Sequence, residues 1–393
     1  MLIILASATV LANLLLILFW KFNFRDYKPD LEDEQIVHPE LQPISRPELT
    51  QVPEVAVLLA VRNEETYLAR CLDCLLASDY PKDKLKIWIG NDASEDATAD
   101  IARTYAKQDS RVKLVEVSQR LGDAKAKANV LAHLALAVEN ADPQTELLLV
   151  TDADMQVQPF WVRGMVQYGY TRNQSKATGV VTGITLVDSR TAWGQLQRID
   201  WIFALGMVKV ASDWGIPIAT MGNNMLMQRQ AYRDTGGYEN LPFSITEDFQ
   251  ILHEITGKRY GFRNVIAPQV VAFTQPMGNW DELLQQRRRW MQGAVRLPFP
   301  IVALLSLQAL FYPLILLLFF LQAEWAAVLF VAKLCLQNLF IILIVRKLRL
   351  VKKYRRRLYR YLLLYELYAA LLTPLTIIYY LLPMKTIWKG REY

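Results

Sequence analysis

The stretch ELLLVTDADM, residues 146–155, is an apolar run that closes on two acids one residue apart. A short continuous apolar run of this kind predicts a strand buried on both faces, as in a sheet covered by helices. Asp152 and Asp154 alternate at the strand end, so both carboxylates can face the same side. Similar runs lie on either side: VAVLLAV at 55–61, LKIWIG at 85–90, VKLVEV at 112–117 and ATGVVTGITL at 177–186, with helical patterns between them. This alternation predicts an α/β fold with a doubly wound, largely parallel sheet and a site at the carboxyl ends of its strands.

Outside this region the chain changes character. With 393 residues of which 53% are hydrophobic, it is too apolar for a soluble protein of its length. Residues 1–20 carry no charge and precede Lys21, Arg25 and Lys28, so 1–21 reads as a transmembrane helix that points the following chain into the cytosol. A cleaved signal peptide fits less well, since there is no basic start and no small-residue cleavage site. Residues 22–54, rich in Pro and acids, read as a juxtamembrane tether, and 55–296 as a cytosolic domain. Residues 297–323 carry no charge, 325–345 only Lys333 and 361–384 only Glu366. These read as about three further transmembrane helices over 297–384, followed by a tail at 385–393. Pro298, Pro300 and Pro313 leave it open whether 297–312 crosses or lies in the interface.

The net charge of +6 is local: residues 346–360, RKLRLVKKYRRRLYR, hold nine Lys and Arg and no acid, so the rest of the chain is net negative. A basic loop between two apolar spans follows the positive-inside rule and faces anionic headgroups, which argues against nucleic acid as a partner. Cys71 and Cys74 form a CxxC inside an amphipathic helical pattern, where core packing outweighs a redox or zinc role.

The sheet lacks a GxGxxG after its first strand, and no GxxxxGK[ST] occurs, so the strand ends must supply a different nucleotide site. They offer Arg62, Asn63 and Glu64, then Asn91 and Asp92, then Asp152 and Asp154. The last pair can hold a hard divalent cation through oxygen, bridging a diphosphate. Alone, a DxD is more often a turn or helix cap, and it is the accompanying residues that favour the metal. Asp92 can cap a turn or accept a hydrogen bond from a base or ribose. Lys127, with Lys125 as rival, can meet a pyrophosphate or simply be solvated. Asp248 can be a first-turn acid or a base that takes a hydroxyl proton. Gln286, Arg289 and Trp290 share one helical face, offering a guanidinium and an indole to a ligand or anchoring the helix at the membrane interface.

Taken in order, AVRNEE, ND, a Lys-rich segment ending in Asn129, TDADM, MGNNM, TED and QRRRW resemble family-2 inverting glycosyltransferases of the GT-A fold. The likeness is to the QxxRW branch that includes cellulose, chitin and hyaluronan synthases and ceramide glucosyltransferases, and it covers about 55–293. The resemblance implies a mixed, Rossmann-like nucleotide-sugar domain with transmembrane helices. It implies that Arg62, Glu64 and Asp92 lie at the nucleotide, with Asp92 on the uridine. Asp152 and Asp154 would hold the nucleotide and a Mg or Mn ion, and Lys127 would meet the diphosphate. Asp248 would be the general base, and Gln286, Arg289 and Trp290 would close the donor and acceptor site. The lysine segment departs from the common pattern, with Ala126 where Gly is usual.

The implied activity is inverting transfer of a hexose or N-acetylhexosamine from a UDP-sugar donor to a membrane lipid or lipid-linked acceptor, by an integral protein of the bacterial inner-membrane type. Three or four helices make a channel for a growing glycan difficult, so a processive polysaccharide synthase is the alternative. A silent membrane scaffold on the same fold is the non-enzyme reading.

Overall fold

The computed structural model describes residues 1–23, 34–35, 38–170, 177–384, 387–388 and 391–392. Arg25 and Lys28, the Lys21 side chain, much of the tether and most of the tail lie outside the described residues. Helix α1 (Leu2–Asn23) precedes a short ribbon of β1 (Glu34–Gln35) and β2 (Ile44–Ser45). Strands and helices then alternate: β3 (Val55–Val61), α2 (Leu68–Leu76), β4 (Leu85–Asn91), α3 (Thr98–Gln108), β5 (Val112–Glu116), α4 (Ala126–Ala141) and β6 (Leu147–Asp152). Next come β7 (Gln156–Val157), α5 (Trp161–Tyr170), β8 (Thr178–Thr182), β9 (Ile184–Val187), α6 (Ala192–Asp213), β10 (Asn224–Gln228), α7 (Arg229–Asp234), α8 (Glu247–Gly257), β11 (Gly261–Asn264) and β12 (Val271–Thr274). The chain ends with α9 (Trp280–Ala294), α10 (Phe299–Leu321), α11 (Ala323–Lys347), α12 (Lys352–Arg360), α13 (Leu362–Leu381) and a ribbon of β13 (Ile387–Trp388) and β14 (Arg391–Glu392).

Two compact units result. One comprises Asp26–Leu186 and Gly215–Gln275. Its seven-stranded sheet runs β11-β8-β10-β6-β3-β4-β5. Strands β6, β3, β4 and β5 are parallel to one another, whereas β10 runs antiparallel to both β6 and β8. The sheet is therefore doubly wound and mixed, and the chain order reverses at β3 and β6, the topological switch point. The apolar run of β3 is explained by its two covered faces. Val55, Val57, Leu59 and Val61 pack in one core with Leu68, Leu72 and Trp161, and Ala56 and Leu58 in another with Val130, Leu131 and Leu134.

The single run at 177–186 divides into β8 and β9, which belong to different sheets. At the break, the Gly183 amide donates to the Asn224 carbonyl (2.9 Å), and a Cβ on Gly183 would meet the Val270 carbonyl oxygen at 2.6 Å. Only glycine fits where the chain leaves one sheet for the other. Cys71 is buried and Cys74 half-buried, both as free thiols. Burial, then Cys74 and the carboxylates of Asp154, Asp152 and Glu64, push the Cys71 thiol well above its usual range, as befits an inert core residue.

The second unit comprises Met1–Arg25, Val187–Trp214 and Pro276–Tyr393, so α6 and α9 group with the terminal helices although the sequence reading had put them in one 55–296 domain. Among the described residues, four helices, Leu2–Trp20, Phe299–Leu321, Ala323–Lys347 and Leu362–Leu381, are long and apolar enough to cross a membrane. The segment with three prolines is one helix: Pro298 precedes it, Pro300 sits in its first turn and Pro313 is carried inside it. A first-turn proline loses no intrahelical hydrogen bond, because those amides have no partner. Lys333, the lone charge of 325–345, and Glu366, the lone charge of α13, pair with each other, with side chains 3% and 4% exposed. Tyr312 donates to Glu366 Oε1 (3.1 Å), Lys333 to the Tyr312 hydroxyl (2.7 Å) and Gln337 to Glu366 Oε2 (2.8 Å). This links α10, α11 and α13 through one satisfied polar cluster.

Candidate active site

The loops that leave β3 and β4 are laced together. Arg62 donates to the carbonyls of Asp92 (2.7 Å) and Ala93 (3.2 Å), and the Asp92 amide donates to the Val61 carbonyl (2.9 Å). The Glu95 amide donates to Asn63 Oδ1 (2.9 Å), and the Asn63 amide to Ser94 Oγ (3.2 Å). Arg62 thus braces the backbone that carries Asp92. Glu64 is buried, and its amide donates to Thr98 Oγ1 at 2.7 Å while its carbonyl accepts the amides that begin α2.

Asp152, at the end of β6, meets the Lys127 ammonium at 2.6 Å, with side chains 35% and 10% exposed. Lys127 also lies 3.4 Å from Glu247 Oε1 and donates to the Gly222 carbonyl at 3.2 Å. Burial pulls this ammonium down, but the charges of Asp152 and Glu247, the hydrogen bond to Asp152 and the charge of Asp248 outweigh it, and its pKa is raised. Asp248 Oδ2 accepts the Gly222 amide (2.9 Å) and Oδ1 the Phe249 amide (2.7 Å). A Cβ on Gly222 would lie 3.1 Å from Asp248 Cβ and 3.3 Å from Lys127 Nζ, so the close approach of these residues favours glycine there. Lys125, by contrast, points its ammonium over the Phe243 ring at 5.3 Å. The structure therefore brings Lys127, Asp152, Glu247 and Asp248 together within the sheet unit.

Asp154 Oδ2 accepts the Thr274 hydroxyl at 2.7 Å. Asp152 and Asp154 are thus oriented from the protein side and provide hard oxygen donors. Among the described residues no cluster of three or more His, Cys, Asp or Glu could hold a metal. Carboxylate oxygens are the donor type that suits Mg or Mn, ions that are commonly held by one or two protein carboxylates with further ligands from elsewhere. Asn224 of MGNNM has a different role: fully buried, it accepts from Trp161 Nε1 (2.8 Å) and donates to the carbonyls of Ile184 (3.1 Å) and Val270 (3.0 Å), pinning the strands behind the cluster.

Among the described residues five non-glycine residues have positive φ, and three of them adjoin these groups: Asn63 (53°), Ala93 (49°) and Ala126 (51°). Ala126 stands where the resembled family usually has Gly, and its left-handed backbone gives the reason. Such a conformation costs an L-residue about 1–2 kcal/mol, against about 0.5–1 kcal/mol for the extra freedom glycine loses on folding. Ala126→Gly is expected to stabilise the protein by roughly 0.5–1 kcal/mol, seen as a higher unfolding temperature in detergent. A lower one would mean that the Cβ has a packing role.

Gln286, Arg289 and Trp290 fall in the helical unit, on α9. The other two arginines of QRRRW anchor this helix. Arg287 pairs with Asp200 Oδ2 of α6 (2.5 Å) and lies 4.2 Å over the Trp290 ring, while Trp201 meets Trp290 edge-on at 5.2 Å. Arg288 donates to the carbonyls of Tyr379 (2.8 Å) and Leu382 (3.1 Å), and Gln285 to the Tyr379 hydroxyl (2.7 Å). One face of the indole is therefore covered by a guanidinium. Sequence reasoning missed Glu247, Gly222, Thr274, Arg287 and Asp200. Glu247, Gly222 and Arg287 stood inside quoted motifs, but no spacing signalled their partners.

Residues 53–293 match the family described as Glycosyltransferase like family 2. The chain is 26% identical over 250 residues to the probable glycosyltransferase YdaM of Bacillus subtilis, covering 63% of this chain and 57% of that protein. It is 27% identical over 252 residues to the beta-monoglucosyldiacylglycerol synthase of Trichormus variabilis, covering 62% and 49%. The match thus spans about half the length of these relatives. Among solved structures, the mannosyltransferase PcManGT from Pyrobaculum calidifontis, in complex with GDP-Man and Mn2+, shares the fold with a TM-score of 0.55 at 18% identity, over 97% of this chain and 99% of that one. The match covers more than half of the chain and runs from the first strand of the sheet through Trp290: this chain belongs to glycosyltransferase-like family 2 and has the GT-A fold.

Proposed function

We propose that this glycosyltransferase moves a hexose or N-acetylhexosamine, with inversion, from a UDP-sugar to the hydroxyl of a membrane lipid or lipid-linked acceptor. The observation that carries the reading is the grouping of Lys127, Asp152, Glu247 and Asp248 beside the switch point of the sheet. Asp92 and its braced loop would bind the uridine. A divalent cation, when bound by Asp152 and Asp154, would stabilise the charge that develops on the departing diphosphate. Lys127 supplies a positive charge next to Asp152 and Glu247. Asp248 spends one lone pair of each oxygen on a backbone amide, which fixes its orientation and leaves further lone pairs for the acceptor proton. Gln286, Arg289 and Trp290 are assigned the donor and acceptor side by resemblance. The basic run at 346–360 supports a cytosolic sheet unit.

For the acceptor, the membrane-length helices and the relatives named beta-monoglucosyldiacylglycerol synthase support a diacylglycerol-type lipid. The test is transfer by the purified full chain in lipid nanodiscs, across a panel of UDP-sugars with diacylglycerol supplied. A monoglycosylated lipid with inverted anomeric configuration is the expected product. A soluble polymer would favour the processive alternative, and no turnover of any sugar nucleotide would favour a scaffold.

The metal assignment has its own expected result. Asp154→Ala should weaken UDP binding in Mg or Mn about a hundredfold, an effect of the size seen when a metal site loses a ligand or its support, and should leave binding in EDTA unchanged. Calorimetry reads both. Equal affinity of the native protein with and without EDTA would make the DxD structural.

A further inference from the structure

The cations of the basic run are sorted by the fold. Helix α12 carries six of them in nine residues, and among the described residues none of the six takes part in an ion pair. Lys352, Arg356 and Arg360 recur at every fourth position and are exposed, with exposed Lys353 beside them. Leu358 is fully buried, and the neighbouring Leu348 and Leu350 are buried too. Lys353 and Arg357 each lie 5.8 Å from the Tyr354 ring. Helix α12 follows α11 and precedes α13, both of membrane length. At about 1.5 Å per residue it spans about 14 Å, far less than the roughly 30 Å hydrocarbon core, so it must lie along one surface.

We propose that α12 is a binding site for anionic phospholipid headgroups, with Lys352, Arg356 and Arg360 as a stripe and Lys353 alongside it. A topology signal needs only a number of positive charges on the correct side of the membrane. It does not need them placed on the exposed face of a helix whose Leu358 is buried and whose cations, among the described residues, take part in no ion pair. Exposed, unneutralised cations at headgroup depth are complementary to lipid phosphates. Each cation near an anionic surface contributes about fivefold to partitioning, and salt screens this within a Debye length. The proposal is independent of which sugar or acceptor the enzyme uses.

The test uses the full chain in mixed micelles of equal phosphatidylglycerol and phosphatidylcholine, with retained lipid measured by mass spectrometry after gel filtration. At low salt the protein should retain phosphatidylglycerol over phosphatidylcholine by about tenfold or more, and the ratio should fall towards one in about 0.5 M salt. The same fall is expected for K352Q/K353Q/R356Q/R360Q, whose unfolding temperature in phosphatidylcholine alone reports whether it is folded. The salt arm on the native protein stands even if that variant is not. Equal retention of the two lipids by the native protein, or a preference that survives both salt and the four substitutions, overturns the proposal. Loss of the preference to inorganic phosphate at equal concentration would assign the face to a soluble anion and overturn it as well.

Discussion

Asp248→Asn is expected to lower the rate of transfer by about 10³-fold or more while leaving UDP affinity within about twofold of the native value, since a positioned general base contributes about 10²–10⁴-fold. The substitution keeps the side chain's size but removes the basic oxygen. Asp248 acts, in the proposed function, on the acceptor and not on the nucleotide, so the loss should fall on kcat rather than on donor binding. Its neighbours sharpen the expectation. Oδ1 and Oδ2 each accept a backbone amide, from Phe249 and Gly222, so one amide must now face the Asn NH2 group. That costs some stability, of the order of 1–3 kcal/mol for an unmade hydrogen bond, without moving Asp152. Kinetics by UDP release, with UDP binding followed by calorimetry, separate the two effects. Native turnover in the mutant ends the assignment of the base. Loss of UDP binding together with turnover would instead show that the chain from Asp248 through Gly222 to Lys127 supports the donor side.

The second large effect concerns the helical unit. Glu366→Leu should destabilise the protein by about 3–5 kcal/mol, because it leaves the buried Lys333 without its partner. Combining it with Lys333→Met should recover most of that loss, since a buried ion pair replaced by apolar residues of similar size is often neutral or better. Tyr312 and Gln337 then lose partners of their own, so recovery should stop short of the native value. Thermal unfolding of the native chain, both single variants and the double variant in one detergent makes the comparison. Additive losses would show that Lys333 and Glu366 act separately. A fully native double variant would show that the tyrosine and glutamine find other partners.

Much of the framework was legible before any coordinates. Strands β3, β4, β5 and β6 stand where the apolar runs placed them; β3 and β6 are almost continuously apolar because a parallel sheet covered on both faces needs such runs, whereas the edge strand β5 carries Lys113 and Glu116 and is only partly buried. The membrane-length helices were legible for a similar reason: a segment without charge over about 20 residues has few other solvents. The DxD, ND and TED acids were visible as motifs in order, and the family followed from that order.

Strands β10, β11 and β12 were not legible, being four or five residues long and held by non-local pairing rather than by a pattern of their own. Nor was the division of labour among Arg287, Arg288 and Arg289, which are equivalent as sequence and differ only in what α6 and α13 present to them. The choice of Lys127 as the lysine on Asp152, its link to Gly222 95 residues away, the link of Thr274 to Asp154 across 120 residues and the pairing of Lys333 with Glu366 across 33 came from tertiary structure alone. Hydrophobic period is a property of one element and is written in consecutive residues. The partner of a charged side chain depends on the register between elements, and this chain sets that register only when its sheet and its helices pack.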